Sequence, residues 1–338
     1  MKIDGGLPGN DLRAVPKVAK ELEDLGYDGA FSAETSHDPF FPLLVAAEHT
    51  DRLELGTGIA VAFARNPMIL ANIGYDLHAY SGGRFMLGLG SQVKAHIEKR
   101  FSMPWSHPAA RMREMILAMR AIWASWNDGQ KLDFRGEFYR HTLMTPFFNP
   151  GPNPYGTPKV FLAAVGEMMT EVAGEVADGV IIHGFTTERY VREVTIPSLE
   201  RGFAKAGKSR ADFQISGPMF IVTGTTEEEF AQARQGTKQQ IAFYGSTPAY
   251  RGVLELHGWG DLQSELNSLS KQGEWVKMGE LITDDILDAF AVVGEPEDVP
   301  RLMLERYGDI VDRLSFYAPY RSDPERWGRV LEGFRQAG

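Results

Sequence analysis

The chain has 338 residues, of which 43% are hydrophobic and 24% charged, and it contains no cysteine. These values are ordinary for a globular protein and exclude a disulfide scaffold, a cysteine-ligated metal and a cysteine nucleophile. The formal net charge is −10, so the chain lacks the surplus of basic residues that is typical of nucleic-acid-binding proteins. No apolar run reaches the ~18 residues that span a bilayer, and Asp4 falls where a signal peptide would be apolar. We therefore expect a cytoplasmic protein that acts on a small molecule, without nucleic-acid or membrane partners.

Strand and helix patterns alternate along the whole chain. The predicted strands are residues 1–5, 28–32, 53–61, 84–89, 160–164, 179–183, 213–222 and 313–317. The predicted helices are residues 11–25, 42–50, 67–80, 111–126, 167–177, 187–206, 227–243, 296–307 and 324–334. Repeated βα units of this kind favour a parallel sheet covered by helices.

Two segments interrupt this alternation. Residues 130–158 contain a predicted hairpin followed by five prolines, and residues 246–290 are predicted to be helical. Eight strands close most economically as a (β/α)₈ TIM barrel, because closure removes the sheet edges and right-handed crossovers place the helices outside. A doubly wound open sheet is the rival, but no G-x-G-x-x-G follows the first strand. The prediction is one α/β domain over residues 1–338, with the two segments as insertions after the fourth and seventh βα units.

In a TIM barrel the active site lies at the C-terminal ends of the strands. The segment after the second strand contains the acid Glu34 and the imidazole of His37, with Thr35 between them. These residue types suit hydrogen bonding to a polar ring or proton transfer. Alternatively, Ser36 or Asp38 caps the next helix and His37 is merely exposed.

Glycines mark the end of the third strand. Gly58 removes a side chain at the barrel mouth, so a flat ring could lie on the backbone with Ile59 and Ala60 behind it. A tight strand-to-loop turn is the alternative. Arg65, a few residues on, could bind a phosphate or carboxylate, or could form a surface ion pair.

The fourth predicted strand leads into Gly90, Ser91 and Gln92. This segment offers free backbone N–H groups and two polar side chains, although a lone G-x-G is more often a packing feature. Three basic side chains follow, which could meet an anionic tail or simply face solvent: His96, Lys99 and Arg100. Seven aromatic side chains could line an apolar pocket or belong to the core: Phe40, Phe41, Phe63, Trp105, Phe185, Phe243 and Tyr244.

The fifth strand runs into a helix through Ala164, Val165 and Gly166, with Glu167 and Met168 at the predicted helix start. Backbone N–H groups at a helix N-terminus carry partial positive charge and can bind a phosphate without basic side chains. An ordinary βα turn, in which Glu167 complements the helix dipole, is the alternative. No spacing of His, Asp or Glu indicates a metal site, so none is predicted.

The run LELGTGIAVAFARNP at residues 53–67, followed by SGGRFMLGLGSQ at 81–92, resembles the bacterial luciferase-like monooxygenase superfamily. Together with the acid and histidine of residues 34–38, it looks most like the branch that depends on coenzyme F420, a 5-deazaflavin. The resemblance implies a luciferase-like barrel that binds F420, or alternatively FMN, at the strand ends. It also implies a cis peptide bond at Gly58–Ile59, phosphate contacts at Val165, Gly166 and their neighbours, and a homodimer formed through outer helices.

The resemblance further implies an oxidoreductase that transfers a hydride between F420 and a small organic substrate, with Glu34 and His37 managing protons. An FMN-dependent monooxygenase and a non-catalytic flavin- or deazaflavin-binding protein are the alternatives. The sugar-phosphate dehydrogenases of the branch carry a histidine directly after the acid, where this chain has Thr35. They also carry a glutamate beyond the Gly-x-Gly turn, where this chain has Gln92 and Val93. Glucose-6-phosphate dehydrogenation is therefore not carried over.

Overall fold

The structure, a computed structural model, describes residues 1–321 and 323–337. The strands are β1 (Lys2–Gly6), β2 (Gly29–Ser32), β3 (Glu54–Thr57), β4 (Ala60–Val61), β5 (Phe85–Gly90), β6 (Phe134–Arg135), β7 (Arg140–His141), β8 (Lys159–Ala164), β9 (Gly179–Ile182), β10 (Gln214–Val222), β11 (Ala291–Val293) and β12 (Arg313–Tyr317). The helices are α1 (Val15–Leu25), α2 (Phe40–His49), α3 (Pro67–Tyr80), α4 (Lys94–Lys99), α5 (Pro108–Asn127), α6 (Glu167–Val176), α7 (Glu188–Tyr190), α8 (Ile196–Ala206), α9 (Glu227–Gly245), α10 (Arg251–Leu256), α11 (Gly260–Gln272), α12 (Trp275–Glu280), α13 (Asp284–Phe290), α14 (Val299–Tyr307) and α15 (Pro324–Ala337). None of the helices in these ranges is long and apolar enough to cross a membrane.

Eight parallel strands form a closed ring in the order β1, β2, β3, β5, β8, β9, β10 and β12. The ring closes because β12 pairs with β1, where Lys2 lies opposite Arg313, and with β10, where Ser216 lies opposite Arg313. Strand β10 also pairs with β9, so no barrel strand is left with an open edge. The (β/α)₈ barrel is therefore confirmed, and the open doubly wound sheet is excluded.

Local chemistry explains where many elements begin and end. All six residues of β5 are buried, as expected for a parallel strand covered on both faces. Helix α1 stops at Gly26, whose φ of +83° is readily adopted only without a side chain. Helix α3 begins at Asn66, whose side chain accepts the N–H of Ile69, and Pro67 occupies the first turn.

Two predicted elements differ from the structure. The third strand is not continuous over residues 53–61: it divides into β3 and β4, and the Gly58–Ile59 peptide bond between them is cis, as the resemblance implies. The predicted helix 187–206 contains a π-helical turn, Val191–Thr195, between α7 and α8. Pro197 lies in the first turn of α8 and has no N–H for the regular helical bond, which explains why the helix widens there.

The two predicted interruptions contain structure of their own. Strands β6 and β7 form the predicted hairpin, and the carboxylate of Glu114 accepts the N–H groups of Glu137, Phe138 and Tyr139 at 2.9, 2.7 and 2.6 Å. Helices α10 to α13 follow α9, and the short strand β11, which the sequence did not predict, pairs with β10. These helices build a second core that includes Phe185 at the barrel mouth.

The barrel floor is closed by a buried ion network. Arg313 is fully buried and donates to both carboxylate oxygens of Asp4 and to one oxygen of Glu54. Lys2 binds the other Glu54 oxygen at 2.7 Å. Burial raises the pKa of Asp4 to about 6, against the opposing pull of Arg313. The network ties β1, β3 and β12 together at the end of the barrel away from the strand C-termini.

Candidate active site

Glu34, the acid that follows β2, is held by hydrogen bonds to neighbouring residues. Its carboxylate accepts the N–H of Val61 at 2.7 Å and a hydrogen bond from Arg65 at 2.6 Å. The backbone N–H of Glu34 donates to the carbonyl of Ile59 at 3.1 Å. The side chain of Glu34 is only 6% exposed. Its hydrogen bonds therefore fix the backbone of the segment that follows β3.

Arg65 lies inside the site rather than on the surface. One guanidinium nitrogen binds Glu34 and the carbonyl of Val61, and the other binds Asp38 at 2.9 Å. Its side chain is 14% exposed and lies over the ring of Phe40 at 5.3 Å. The surface-pair interpretation of Arg65 is therefore wrong, because the arginine joins the loops that follow β2 and β3.

The other residues of the loop after β2 either bind the first turn of α2 or are exposed to solvent. Asp38 accepts the N–H of Phe40, the first residue of α2, at 2.9 Å, although the N-cap position of that helix is Pro39. Thr35 and His37 are exposed, and Arg100 donates to the carbonyl of Thr35. The ring of His37 has no hydrogen-bond partner within residues 1–321 and 323–337, so it is available to a bound molecule.

Two strand ends present backbone without side chains. A Cβ at Gly90 would lie 2.8 Å from Cδ1 of Ile59, and one at Gly58 would lie 3.3 Å from the ring of Phe31. The side chain of Ile59 therefore occupies the space that a larger residue at position 90 would need. Ala60 is fully buried. Gly58 is exposed and Gly90 is buried beneath Ile59, so the floor at the ends of β3 and β5 consists of the Gly58 backbone and the side chain of Ile59.

The loop after β5 has an unusual backbone. Gln92 has a φ of +60°, and in the described chain Ser102 and His107 share this left-handed conformation outside glycine. Such positions cost on the order of 1–3 kcal/mol and cluster at functional sites. The side chain of Gln92 accepts the N–H of Val93 at 2.9 Å, and Ser91 donates to the Gln92 carbonyl at 3.1 Å. His96 is exposed on α4.

The N-terminus of α6 is open. Gly166 precedes the helix with a φ of +80°, no side chain caps the helix, and a Cβ at Gly166 would meet nothing within 4 Å. Arg201 binds the carboxylate of Glu167 at 2.7 Å and so neutralises the acid of the first turn. Ala164 is buried, whereas Val165 and Met168 are exposed. The first N–H groups of α6 have no partner within the helix and fit a phosphate.

Sequence reasoning named Tyr244 as a pocket candidate but missed His183, Tyr250 and Tyr317, which it meets at the ends of β9 and β12. His183 follows β9, and its ring stacks on Tyr250 and meets the edge of Tyr244, both with centroids at 4.6 Å. The hydroxyls of Tyr244 and Tyr317 lie 2.6 Å apart. The signal available in the sequence was the position of His183 and Tyr317 at strand ends; nothing local indicated their partners.

The fold and these strand ends define a family. Residues 2–313 match the model of the luciferase-like monooxygenase family, and the chain belongs to that family. An uncharacterized Mycobacterium tuberculosis protein is 58% identical over 314 residues, which are 93% of this chain and 92% of the relative.

Two further relatives have named activities. The 5,10-methylenetetrahydromethanopterin reductase of Archaeoglobus fulgidus is 28% identical over 83% of this chain and 82% of its own length. The structure of the coenzyme F420-dependent tetrahydromethanopterin reductase of Methanopyrus kandleri superposes with a TM-score of 0.79 and 20% identity, covering 98% of this chain and 97% of that one. The chain is thus related to F420-dependent oxidoreductases within a family named for monooxygenases.

Proposed function

We propose that this protein is an F420-dependent oxidoreductase that transfers a hydride between the bound deazaflavin and a small organic substrate. The observation that carries the proposal is the floor of exposed Gly58 backbone and Ile59 side chain, at the same end of the barrel as the open N-terminus of α6. A flat redox ring with a phosphate-bearing chain needs both features. The fold shared with an F420-dependent reductase, together with the sequence similarity to a 5,10-methylenetetrahydromethanopterin reductase, supports this choice of cofactor.

When bound, F420 supplies the carbon that accepts or releases the hydride. The backbone at Gly58 and the side chain of Ile59, which packs on Gly90, support the ring face, with Ala60 behind them. The N–H groups of residues 166–168 hold the phosphate, with Ala164 and Val165 leading the chain to it. Around the ring edge and tail, Thr35, Ser91, Gln92 and His96 supply polar contacts.

The acid and the histidine after β2 have different parts in this proposal. Glu34 and Arg65 form a closed ion pair, so the carboxylate holds the Ile59–Val61 backbone and adds little net charge near the ring. His37 is exposed and has an imidazole free of partners in the described chain, so it exchanges the proton that accompanies hydride transfer. Orientation and exclusion of water remain the main contributions of the chain.

A cofactor titration tests the proposal. Purified protein is titrated with F420 and with FMN, and binding is followed by fluorescence and absorbance. Saturable binding of F420, at least tenfold tighter than FMN, is the expected result. Tighter binding of FMN, with oxygen consumption when the flavin is reduced, would indicate the monooxygenase instead. Binding of neither cofactor would refute both.

A variant then separates binding from chemistry. His37→Ala removes the exposed imidazole, and we expect slower turnover with unchanged F420 affinity, because His37 does not support the ring. His49→Ala, also at an exposed histidine, is the matched control and should leave both unchanged. Wild-type turnover in His37→Ala would remove His37 from the mechanism.

A further inference from the structure

The guanidinium of Arg65 is shared between two carboxylates of the loop after β2. Nη1 donates to Glu34 Oε2 at 2.6 Å and to the carbonyl of Val61 at 3.1 Å, whereas Nη2 donates to Asp38 Oδ2 at 2.9 Å. We call Glu34, Arg65 and Asp38 the Arg65 bridge. Glu34 and Arg65 are largely buried and Asp38 is 36% exposed, so water competes least with the bond to Glu34.

One half of the Arg65 bridge holds the segment on which we place the ring. Glu34 Oε2 also accepts the N–H of Val61 at 2.7 Å, so the ion pair binds both polar backbone groups of Val61. The backbone N–H of Glu34 donates to the carbonyl of Ile59 at 3.1 Å. A shift of residues 59–61 therefore also moves the guanidinium, and the reverse holds as well.

The other half of the Arg65 bridge holds the residue next to His37. Asp38 Oδ2 accepts from Arg65, and Oδ1 accepts the N–H of Phe40 at 2.9 Å, so the carboxylate is fixed at both oxygens. His37 directly precedes Asp38, with its Cα about 3.8 Å away, and its ring makes no hydrogen bond in the described chain. The orientation of His37 therefore depends on the backbone that Asp38 anchors.

The geometry of the Arg65 bridge requires arginine. A guanidinium is planar and presents its N–H donors in a fixed fork, so it can bind two carboxylates from different directions at once. Lysine would keep the charge, but its single ammonium has no such fork. Glutamine would lose the charge and leave Glu34 and Asp38 to repel each other. The two substitutions therefore separate the charge of Arg65 from its geometry.

We propose that Arg65 is a positioning residue that couples the floor at Gly58 and Ile59 to the loop that carries His37. A ring that settles on the floor moves the Val61 backbone, the guanidinium passes this movement to Asp38, and His37 turns with it. Such coupling is reciprocal, so a change at either carboxylate affects the other. The inference rests on the proposed function for the ring and the proton, but the coupling itself is measurable without cofactor.

The imidazole resonances of His37 report the coupling in the cofactor-free protein. NMR identifies them by their absence in His37→Gln. Glu34→Gln changes the half of the bridge that holds the floor, and we expect it to shift these resonances when Arg65 is present but not in the Arg65→Lys background. Glu175→Gln alters a similar ion pair, with Arg113 at 2.6 Å, and should not shift them. No shift, or the same shift in both backgrounds, would overturn the inference.

Two variants of Arg65 separate positioning from stability. Arg65→Lys keeps the charge, so its free energy of unfolding, measured with denaturant, should lie closer to wild type than that of Arg65→Gln. The His37 resonances should nevertheless be displaced in both variants, because both lose the fork. Wild-type His37 resonances in Arg65→Lys would show that charge alone is sufficient, which would overturn the positioning role.

The affinity for F420 reports the coupling in the other direction. Asp38→Asn changes the half of the bridge that does not touch residues 58–61, and we expect F420 to bind at least threefold more weakly in a fluorescence titration. In Arg65→Lys, the further substitution Asp38→Asn should have no added effect. Asp133→Asn, at an exposed pair with Arg135, is the control and should leave the affinity unchanged. The same loss in both backgrounds would show that Asp38 acts without Arg65 and would contradict the coupling.

The two proposals fail in different ways. If F420 does not bind but the His37 resonances respond to Glu34→Gln only when Arg65 is present, the proposed function is wrong and the coupling stands. If F420 binds and the His37 resonances do not respond, only the coupling is wrong.

Discussion

Glu34 and Arg65 connect the loops after β2 and β3 through an ion pair with an N···O distance of 2.6 Å. Because both side chains are largely buried, the pair contributes little free charge to the barrel mouth while holding the backbone at Val61. The imidazole of His37 and Nε2 of His183, which have no hydrogen-bond partner in the described chain, are left as polar groups that can respond to a bound molecule. Near the proposed site, the structure thus separates groups that hold the backbone from groups that bind.

The floor formed by Gly58 and Ile59 makes a direct prediction. Gly90→Ala would place a methyl group 2.8 Å from Cδ1 of Ile59, so the isoleucine must move toward the space assigned to the ring. We expect about a tenfold loss of F420 affinity, measured by fluorescence titration. The fold should survive, because the contact is with the far end of a flexible side chain.

Gly328→Ala is the matched control, since a Cβ at Gly328 meets nothing within 4 Å. It lies in α15, where alanine is the better helix former, so stability should be unchanged or slightly higher. Equal F420 affinity in Gly90→Ala and wild type would show that the ring does not use this floor.

Among the elements, the short helix α4 places Lys99 and Arg100 beyond the end of β5, and Arg100 binds the loop after β2. The chain is acidic overall, so a local group of basic side chains matters for an anionic tail. Because Lys99 is exposed, its attraction for such a tail should be screened by salt.

Lys99→Gln tests this role of α4. We expect F420 affinity to fall two- to fivefold at low ionic strength and the difference to vanish near 0.5 M salt, as measured by fluorescence titration. FMN, which has no acidic tail, should bind both proteins equally. Lys131→Gln, an exposed lysine outside the strand ends, is the control. A salt-independent loss would contradict a contact with the tail.

The sequence predicted the eight barrel strands because each is a buried run with turn residues at its ends. It did not predict β11, since three residues are too short for a periodic signal. Of the seven aromatic pocket candidates, Phe40, Phe63 and Phe185 are buried core side chains, whereas Tyr244 is half-buried. The partners of His183 lie about 60 to 130 residues away in the chain, so no local pattern could place them together.

At the scale of the whole molecule, the two ends of the barrel differ in their charged side chains. The floor contains Arg313 with Asp4 and Glu54, tied across β1, β3 and β12. The mouth beside His183 has no charged lining in the described chain. The floor network therefore contributes to barrel closure, whereas the mouth is left for binding.

Removing the guanidinium of Arg313 should lower the free energy of unfolding of the barrel. Arg313→Met leaves Asp4 and Glu54 without their buried partner, and we expect a loss of about 3–5 kcal/mol in the free energy of unfolding. Denaturant titration followed by circular dichroism measures it. Arg329→Met breaks an exposed pair with Glu297 and should cost at most about 1 kcal/mol. Equal losses in the two variants would show that the floor network is not special.

His183 also predicts a pH dependence of stability. Its pKa is lowered to about 4, whereas in the unfolded chain it is about 6.5. The stabilisation is complete above pH 6.5 and is lost as the pH falls toward 4, because the unfolded state takes up the proton first. The difference in unfolding free energy between wild type and His183→Gln should therefore shrink over that range. A difference that does not vary with pH would contradict a neutral His183.

The division between floor and mouth has a consequence for how such a chain can change. Substitutions at exposed mouth positions such as Thr35, His96 and Met168 leave the Arg313 network untouched. A library randomised at these three codons should therefore yield mostly folded members, and selection could reshape the accepted molecule without first restoring solubility. The same architecture would let closely similar paralogues diverge in substrate while retaining one scaffold.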